Sequence, residues 1–337
     1  MNKKRIVVIC PGRGTYTRET IKYLTDCNKE SAPLIKWMDQ KRQADKRLSL
    51  TDLDSSPFKS KTHMLGENAS SLIYACSIKD FLAINQKKYE IVAFTGNSMG
   101  WYTALALAGV FTYKTGYRVI EKMGSMMEGN IIGGQIIYPI MDDEWRIDNN
   151  SKDKVLEELR SLGAYVSIIL GGYILIGAEQ KVLDKLLNNL PKIDQYPIQL
   201  PYHAAFHTPL LESISNRATK HIPESYFSKP IIPLIDGLGN IWSPFSSNIS
   251  DLYRYTLRDQ VISTYNFTNA ITVAIKEFCP DNLVLLGPGN TLGGAVGQIL
   301  IQNQWHDINS KSAFSNMQLK DTFLISMGIN DQRKMVS

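Results

Sequence analysis

Ser98 stands in Gly96-Asn97-Ser98-Met99-Gly100, a G-x-S-x-G spacing that can turn a serine into a nucleophile. Glycines on both flanks permit a turn so sharp that no Cβ fits where strand and helix approach. The hydroxyl then projects above the sheet edge, and the free N–H groups of the next helix point at whatever it attacks. The pentapeptide by itself also occurs as an ordinary glycine-rich turn. Its flanks favour the elbow, because Ile91-Val92-Ala93-Phe94-Thr95 reads as a buried strand and Ala104-Leu105-Ala106-Leu107 as a helix.

A serine nucleophile needs a base, and the chain has 5 histidines: His63, His203, His207, His221 and His306. His63 and His306 lie in polar surroundings, and His221 precedes Ile-Pro. His203 and His207 share the segment Tyr202-His203-Ala204-Ala205-Phe206-His207-Thr208-Pro209. Residue types alone leave the choice open, since an isolated histidine is as readily a structural side chain. Pro11-Gly12-Arg13-Gly14-Thr15, after the first strand, has neither the G-x-G-x-x-G nor the P-loop spacing of a phosphate cradle. It is better suited to hold a backbone N–H donor near the site.

The elements that must place these residues follow from periodicity. Ile6–Cys10 is a first strand, and residues 30–62 are a polar helical hairpin and loop. A buried helix spans Ala69–Ile84, and another beyond Tyr113 carries Val119, Ile120, Met123, Met126 and Met127. Between 132 and 200 the order is strand, helix, strand, strand, helix, strand, the split ferredoxin-like arrangement. The expected fold class is α/β: a body over 1–131 and 201–310, an inserted ferredoxin-like subdomain over 132–200, and a polar C-terminal tail over 311–337. The body resumes with Pro230–Asp236, helices near Asp251–Arg258 and Asn269–Phe278, and a late strand at Leu283–Leu286.

The 337 residues are 44% hydrophobic and 20% charged, which suits a globular protein with a sizeable core. A net charge of +5 is spread over scattered clusters, so it argues for no nucleic-acid module, although a basic rim suits an acidic partner protein. The 4 cysteines (Cys10, Cys27, Cys76 and Cys279) have no metal or redox spacing. No run reaches transmembrane length, and the first apolar run is too short for a signal segment. A cytoplasmic protein without a metal is expected.

The chain resembles the malonyl-CoA:acyl carrier protein transacylases and the related acyltransferase domains of polyketide and fatty acid synthases. The resemblance rests on Cys10-Pro11-Gly12-Arg13-Gly14-Thr15, the Gly96–Gly100 elbow with Ala108-Gly109-Val110, Ala205-Phe206-His207-Thr208-Pro209-Leu210-Leu211, and Leu286-Gly287-Pro288-Gly289. These motifs come in the family's order and near its spacing, from about residue 5 to 300. The resemblance implies an α/β-hydrolase-like body with a ferredoxin-like insertion, and it selects His207 as the base. It also implies ping-pong acyl transfer, with Met99 N–H and Arg13 N–H as the oxyanion hole. In the family a backbone carbonyl beside a late Asn or Gln orients the histidine, which here assigns that task to Asn266 in Thr264-Tyr265-Asn266-Phe267. No cofactor is implied. The partners are acyl carrier protein and a coenzyme A thioester, and a monomer is expected.

The departures from the family bear on the substrate. Arg13 replaces a glutamine, Asn97 a histidine, and Trp101 a glutamate. Counting without a gap from the serine, Met123 falls where malonyl-using members place an arginine. That arginine's task is a bidentate grip on a free carboxylate, whereas methionine offers only a soft apolar wall. An unpaired buried carboxylate costs several kcal/mol. An acyl pocket of Met123, Trp101, Asn97 and Phe206 is therefore expected to take a non-carboxylated acyl group. The alternatives are a malonyl transacylase with its cation supplied by Arg13 or Lys122, a hydrolase clearing acyl groups from a carrier protein, and a non-enzymatic carrier-protein adaptor.

Overall fold

A computed structural model describes residues 3–129 and 131–337. The strands are, in chain order, β1 (Lys4–Cys10), β2 (Tyr89–Gly96), β3 (Gly134–Pro139), β4 (Tyr165–Leu170) and β5 (Tyr173–Ala178). They continue as β6 (Ile198–Gln199), β7 (Leu234–Ile235), β8 (Ile241–Trp242), β9 (Tyr265–Asn266), β10 (Asn282–Leu285) and β11 (Leu324–Ser326). Two mixed sheets result. The larger has the order β11-β10-β1-β2-β7-β8, parallel throughout except for β8. Helices cover it, so β1 is apolar without alternation: Ile6 to Cys10 are all fully buried.

The smaller sheet has the order β6-β3-β5-β4-β9. Helices Asn149–Leu162 and Gln180–Asn189 pack on one of its faces, around a separate core of Ile136, Tyr138, Ile174, Ile176, Val155 and Leu183. Because side chains alternate along a strand, the neighbours Ile137 on β3 and Leu175 on β5 look the other way, toward the body. The fifth strand, β9, comes from the body and pairs parallel with β4. Two residues carry no periodicity, so the sequence gives no sign of it.

The stretch 311–337 is not a tail. Its helix Lys311–Lys320 leads into β11, which extends the large sheet beside β10, and Val336 in the last helix is fully buried. Arg333 reaches Asp80 at 3.4 Å and donates to the Met327 carbonyl at 2.8 Å. A three-residue strand between polar helices is too short to register as hydrophobic patterning.

The elbow forms where β2 meets the helix Gly100–Leu107, beside the end of β1. A Cβ on Gly96 would be driven into the Gly100 carbonyl, and one on Gly100 into the Cys10 carbonyl. Ser98 between them has φ +54, a left-handed conformation that a side chain adopts only under surrounding constraint. Gly100→Ala is expected to cost about 1–3 kcal/mol in chemical denaturation, because backbone must move to admit the methyl group. Gly294→Ala, in a helix with open space around the new methyl, is expected to be neutral or stabilising.

Candidate active site

Ser98 Oγ lies 2.7 Å from His207 Nε2. His207 Nδ1 lies 2.5 Å from the main-chain carbonyl of Gln260. A carbonyl only accepts, so Nδ1 carries the ring proton and Nε2 presents a lone pair to the serine hydroxyl. His207 itself has φ +57, and its position is held by a loop whose Thr208 hydroxyl donates to the Ala205 carbonyl at 2.7 Å.

The Gln260 carbonyl is available for a physical reason. The segment passes from helix Ile249–Arg254 through a π-turn at Tyr255–Asp259 to Gln260–Ile262, and Ser263 is already extended. A carbonyl in the last turn of a helix has no partner four residues on. The Gln260 side chain fixes the turn by donating to the Tyr102 hydroxyl at 2.7 Å and the Thr256 carbonyl at 3.0 Å. Tyr265 adds a second tie. Its hydroxyl donates to the Gly96 carbonyl at 2.6 Å, and its ring stands 5.2 Å from the imidazole.

Asn266 does not orient His207. Its side chain accepts from Asn269 N–H at 2.9 Å and caps the helix Phe267–Phe278. The orienting carbonyl comes from six residues earlier, from another late amide residue, Gln260, at a helix end. Trp101 is not in the acyl pocket either. It is fully buried in the body, with Nε1 donating to the Thr256 hydroxyl at 3.0 Å and its ring edge-on to Tyr255 at 5.4 Å. Its side chain points inward because the tight turn aims this first helical turn at the core.

Ser98, Met99 and Arg13 border a cavity of about 330 Å³, together with Asn97, Met123 and Phe206. The body supplies Met64, Ile120, Met127, Leu211 and Ile214 to its walls, and the small sheet supplies Ile137, Ile168, Leu170 and Leu175. Neither Met99 N–H nor Arg13 N–H donates to a group among the described residues. Arg13 also turns its side chain into this space. Its Nη2 donates to the Met64 carbonyl at 3.0 Å and the Tyr202 carbonyl at 2.9 Å, and the guanidinium lies 5.4 Å over the Phe206 ring. Lys122 faces away and donates to the His221 carbonyl at 2.7 Å, while Arg118 lies over Trp37. Among the described residues no cluster of His, Cys, Asp and Glu could hold a metal, and no helix is long and apolar enough to cross a membrane.

The fold is that of the malonyl-CoA:acyl carrier protein transacylases. The enzyme of that name from Synechocystis superposes with a TM-score of 0.74 at 16% identity, over 98% of this chain and 99% of the other. The acyltransferase domain from the second module of the salinomycin polyketide synthase gives 0.69 at 15% identity, over 98% of this chain and 70% of that one. In sequence, the polyketide biosynthesis malonyl CoA-acyl carrier protein transacylase PksC of Bacillus subtilis is 25% identical over 234 residues, 68% of this chain and 75% of PksC. No protein-family model matches the chain. In sequence and in fold the chain is thus similar to the malonyl-CoA:acyl carrier protein transacylases and to a polyketide synthase acyltransferase domain.

Burial pushes the His207 pKa down to about 4, against the opposing pull of the Gln260 carbonyl. A neutral ring accepts the serine proton and a protonated one does not, so reactivity is lost as pH falls through that value. Labelling of Ser98 by a fluorophosphonate should hold a constant rate from pH 8 to about pH 5 and then fall about tenfold per unit near and below about 4. An inflection near the ordinary histidine value of 6.5 contradicts this environment.

Proposed function

We propose that this protein is a serine acyltransferase that moves a non-carboxylated acyl group from a thioester, acyl-CoA or acyl-carrier protein, to an acyl carrier protein in fatty acid or polyketide biosynthesis. One observation carries the reading. Ser98 donates to a neutral, carbonyl-oriented His207 at the edge of an apolar cavity where Met123 occupies the wall. The names of the relatives support the carrier-protein partner.

Nε2 of His207 takes the Ser98 proton as Oγ attacks the thioester carbonyl carbon. Met99 N–H and Arg13 N–H receive the developing oxyanion. Collapse breaks the C–S bond, and His207 returns its proton to the departing thiolate. In the second half the thiol of the incoming carrier gives its proton to His207, attacks the acyl-serine, and leaves Ser98 restored. Water attacking instead releases a free acid, so the two outcomes differ only in the second nucleophile.

The substrate part of the reading rests on charge. Met123 offers an apolar wall where the resemblance places an arginine, and the Arg13 guanidinium, though still charged, gives its Nη2 to two main-chain carbonyls rather than to the cavity. With holo-carrier protein and acyl-CoA donors, acetyl or hexanoyl transfer is expected to exceed malonyl transfer by about tenfold or more, read as acyl-carrier product by mass. Malonyl transfer faster than both overturns the substrate assignment, and free acid in excess of acyl-carrier reassigns the protein as a hydrolase. Met123→Arg is expected to raise the malonyl-to-hexanoyl ratio by about tenfold, since it restores a bidentate donor to that wall.

A further inference from the structure

The cavity beside Ser98 is apolar over most of its lining, yet His203 and Gln135 also face it. Neither has a part in the Ser98 chemistry. Their hydrogen bonds can be assigned from one fixed point, the main-chain carbonyl of Phe206, which can only accept. The Ser167 hydroxyl donates to it at 2.7 Å. Ser167 Oγ then accepts from Gln135 Nε2 at 2.5 Å, which leaves Gln135 Oε1 facing His203 Nδ1 at 2.9 Å. An amide oxygen accepts, so Nδ1 holds the ring proton and Nε2 holds a lone pair. Among the described residues Nε2 has no donor. Burial and then the neighbouring Arg13 charge hold the imidazole well below its ordinary pKa, so the ring is neutral.

Arg13 supplies the opposite chemistry on the same wall. Its Nη2 is occupied by the Met64 and Tyr202 carbonyls and its Nε is sealed from the cavity, whereas its Nη1 donates to no group among the described residues. Both groups pack on one ring: Arg13 lies 5.4 Å over Phe206, and the His203 imidazole meets it edge-on at 6.2 Å. His203 also borders an adjoining cleft lined by Gln180, Gln199 and Tyr202, so it stands where the two spaces meet.

We propose that His203 and Arg13 form a hydroxyl-recognition site on the cavity wall, and that the acyl group this protein prefers carries a hydroxyl. The proposal rests on the acyl-transfer reading above. A hydroxyl is donor and acceptor at once, so it gives its hydrogen to His203 Nε2 and accepts from the Arg13 guanidinium. A plain alkyl chain covers both groups and satisfies neither, which a buried polar group resists. A keto oxygen serves Arg13 alone and turns a lone pair toward the imidazole lone pair. An ammonium is repelled by Arg13. Gln135 and Ser167 are positioning residues here, because they fix which imidazole nitrogen bears the proton.

The test uses the full chain and four thioesters of N-acetylcysteamine: hexanoyl, 3-hydroxyhexanoyl, 5-hydroxyhexanoyl and 3-oxohexanoyl, with Ser98 loading followed by intact-protein mass. At least one hydroxyacyl donor is expected to load about tenfold or more faster than hexanoyl, the effect of a single satisfied buried hydrogen bond, with 3-oxohexanoyl close to hexanoyl. His203→Leu is expected to bring the hydroxyacyl-to-hexanoyl ratio close to one, and His203→Gln, which still offers an acceptor, to keep part of it. Equal loading of hexanoyl and both hydroxyacyl donors by the unaltered protein overturns the proposal, as does an unchanged ratio in His203→Leu. Loading by none of the four overturns the acyl-transfer reading itself, and the proposal with it.

Discussion

The arrangement depends on the hydrogen bond that Ser98 gives to an imidazole whose other nitrogen is already committed. A buried histidine with both nitrogens free could present either tautomer. The Gln260 carbonyl removes that freedom at the cost of one helix-end acceptor that has no other use. A carboxylate in that place would raise the ring's pKa, whereas a carbonyl in a desolvated setting leaves it low. The imidazole is therefore neutral, with Nε2 free to accept a proton and no counter-ion beside it.

That contact is only as good as the approach of the chain segments that carry it. Gly96 and Gly100 let the elbow touch the end of β1, and Tyr265 bonds the Gly96 carbonyl from the far side while flanking the imidazole. The two sheets meet over the same point. One face of the small sheet closes its own core, and the other lends Ile137, Leu170 and Leu175 to the cavity, as the two-residue period of a strand requires. Two polar groups of the cavity lining, Arg13 and His203, are held by main-chain carbonyls and by the Gln135–Ser167 chain, so their orientation is set before any ligand arrives.

Much of this was legible in the sequence, for physical reasons that differ by element. The elbow, the first strand and the ferredoxin-like order rest on strong local rules: glycine at a close approach, continuous apolar runs, and alternation. The Ser98–His207 pairing was legible because the segment around His207 resembles a family motif. The Gln260 carbonyl was not, since the chain offers more than one late amide residue and the one chosen, Asn266, caps the next helix instead. The nearness of Trp101 to Ser98 in sequence predicts a pocket-facing side chain, but the turn sends it into the core. β9 and β11 are two and three residues long and gain their place from tertiary pairing alone. The Gln135–Ser167–His203 chain joins residues from three separate segments, and only the fold brings them together.

Intact-protein mass after brief exposure to hexanoyl-CoA decides whether Ser98 carries the acyl group and His207 serves as its base. The expected result is the mass of one hexanoyl group on the unaltered chain, mapped to Ser98, with none on Ser98→Ala and loading slowed by about 10²–10⁴-fold in His207→Gln. An acyl group that forms on Ser98→Ala, or that forms on His207→Gln at the unaltered rate, contradicts it.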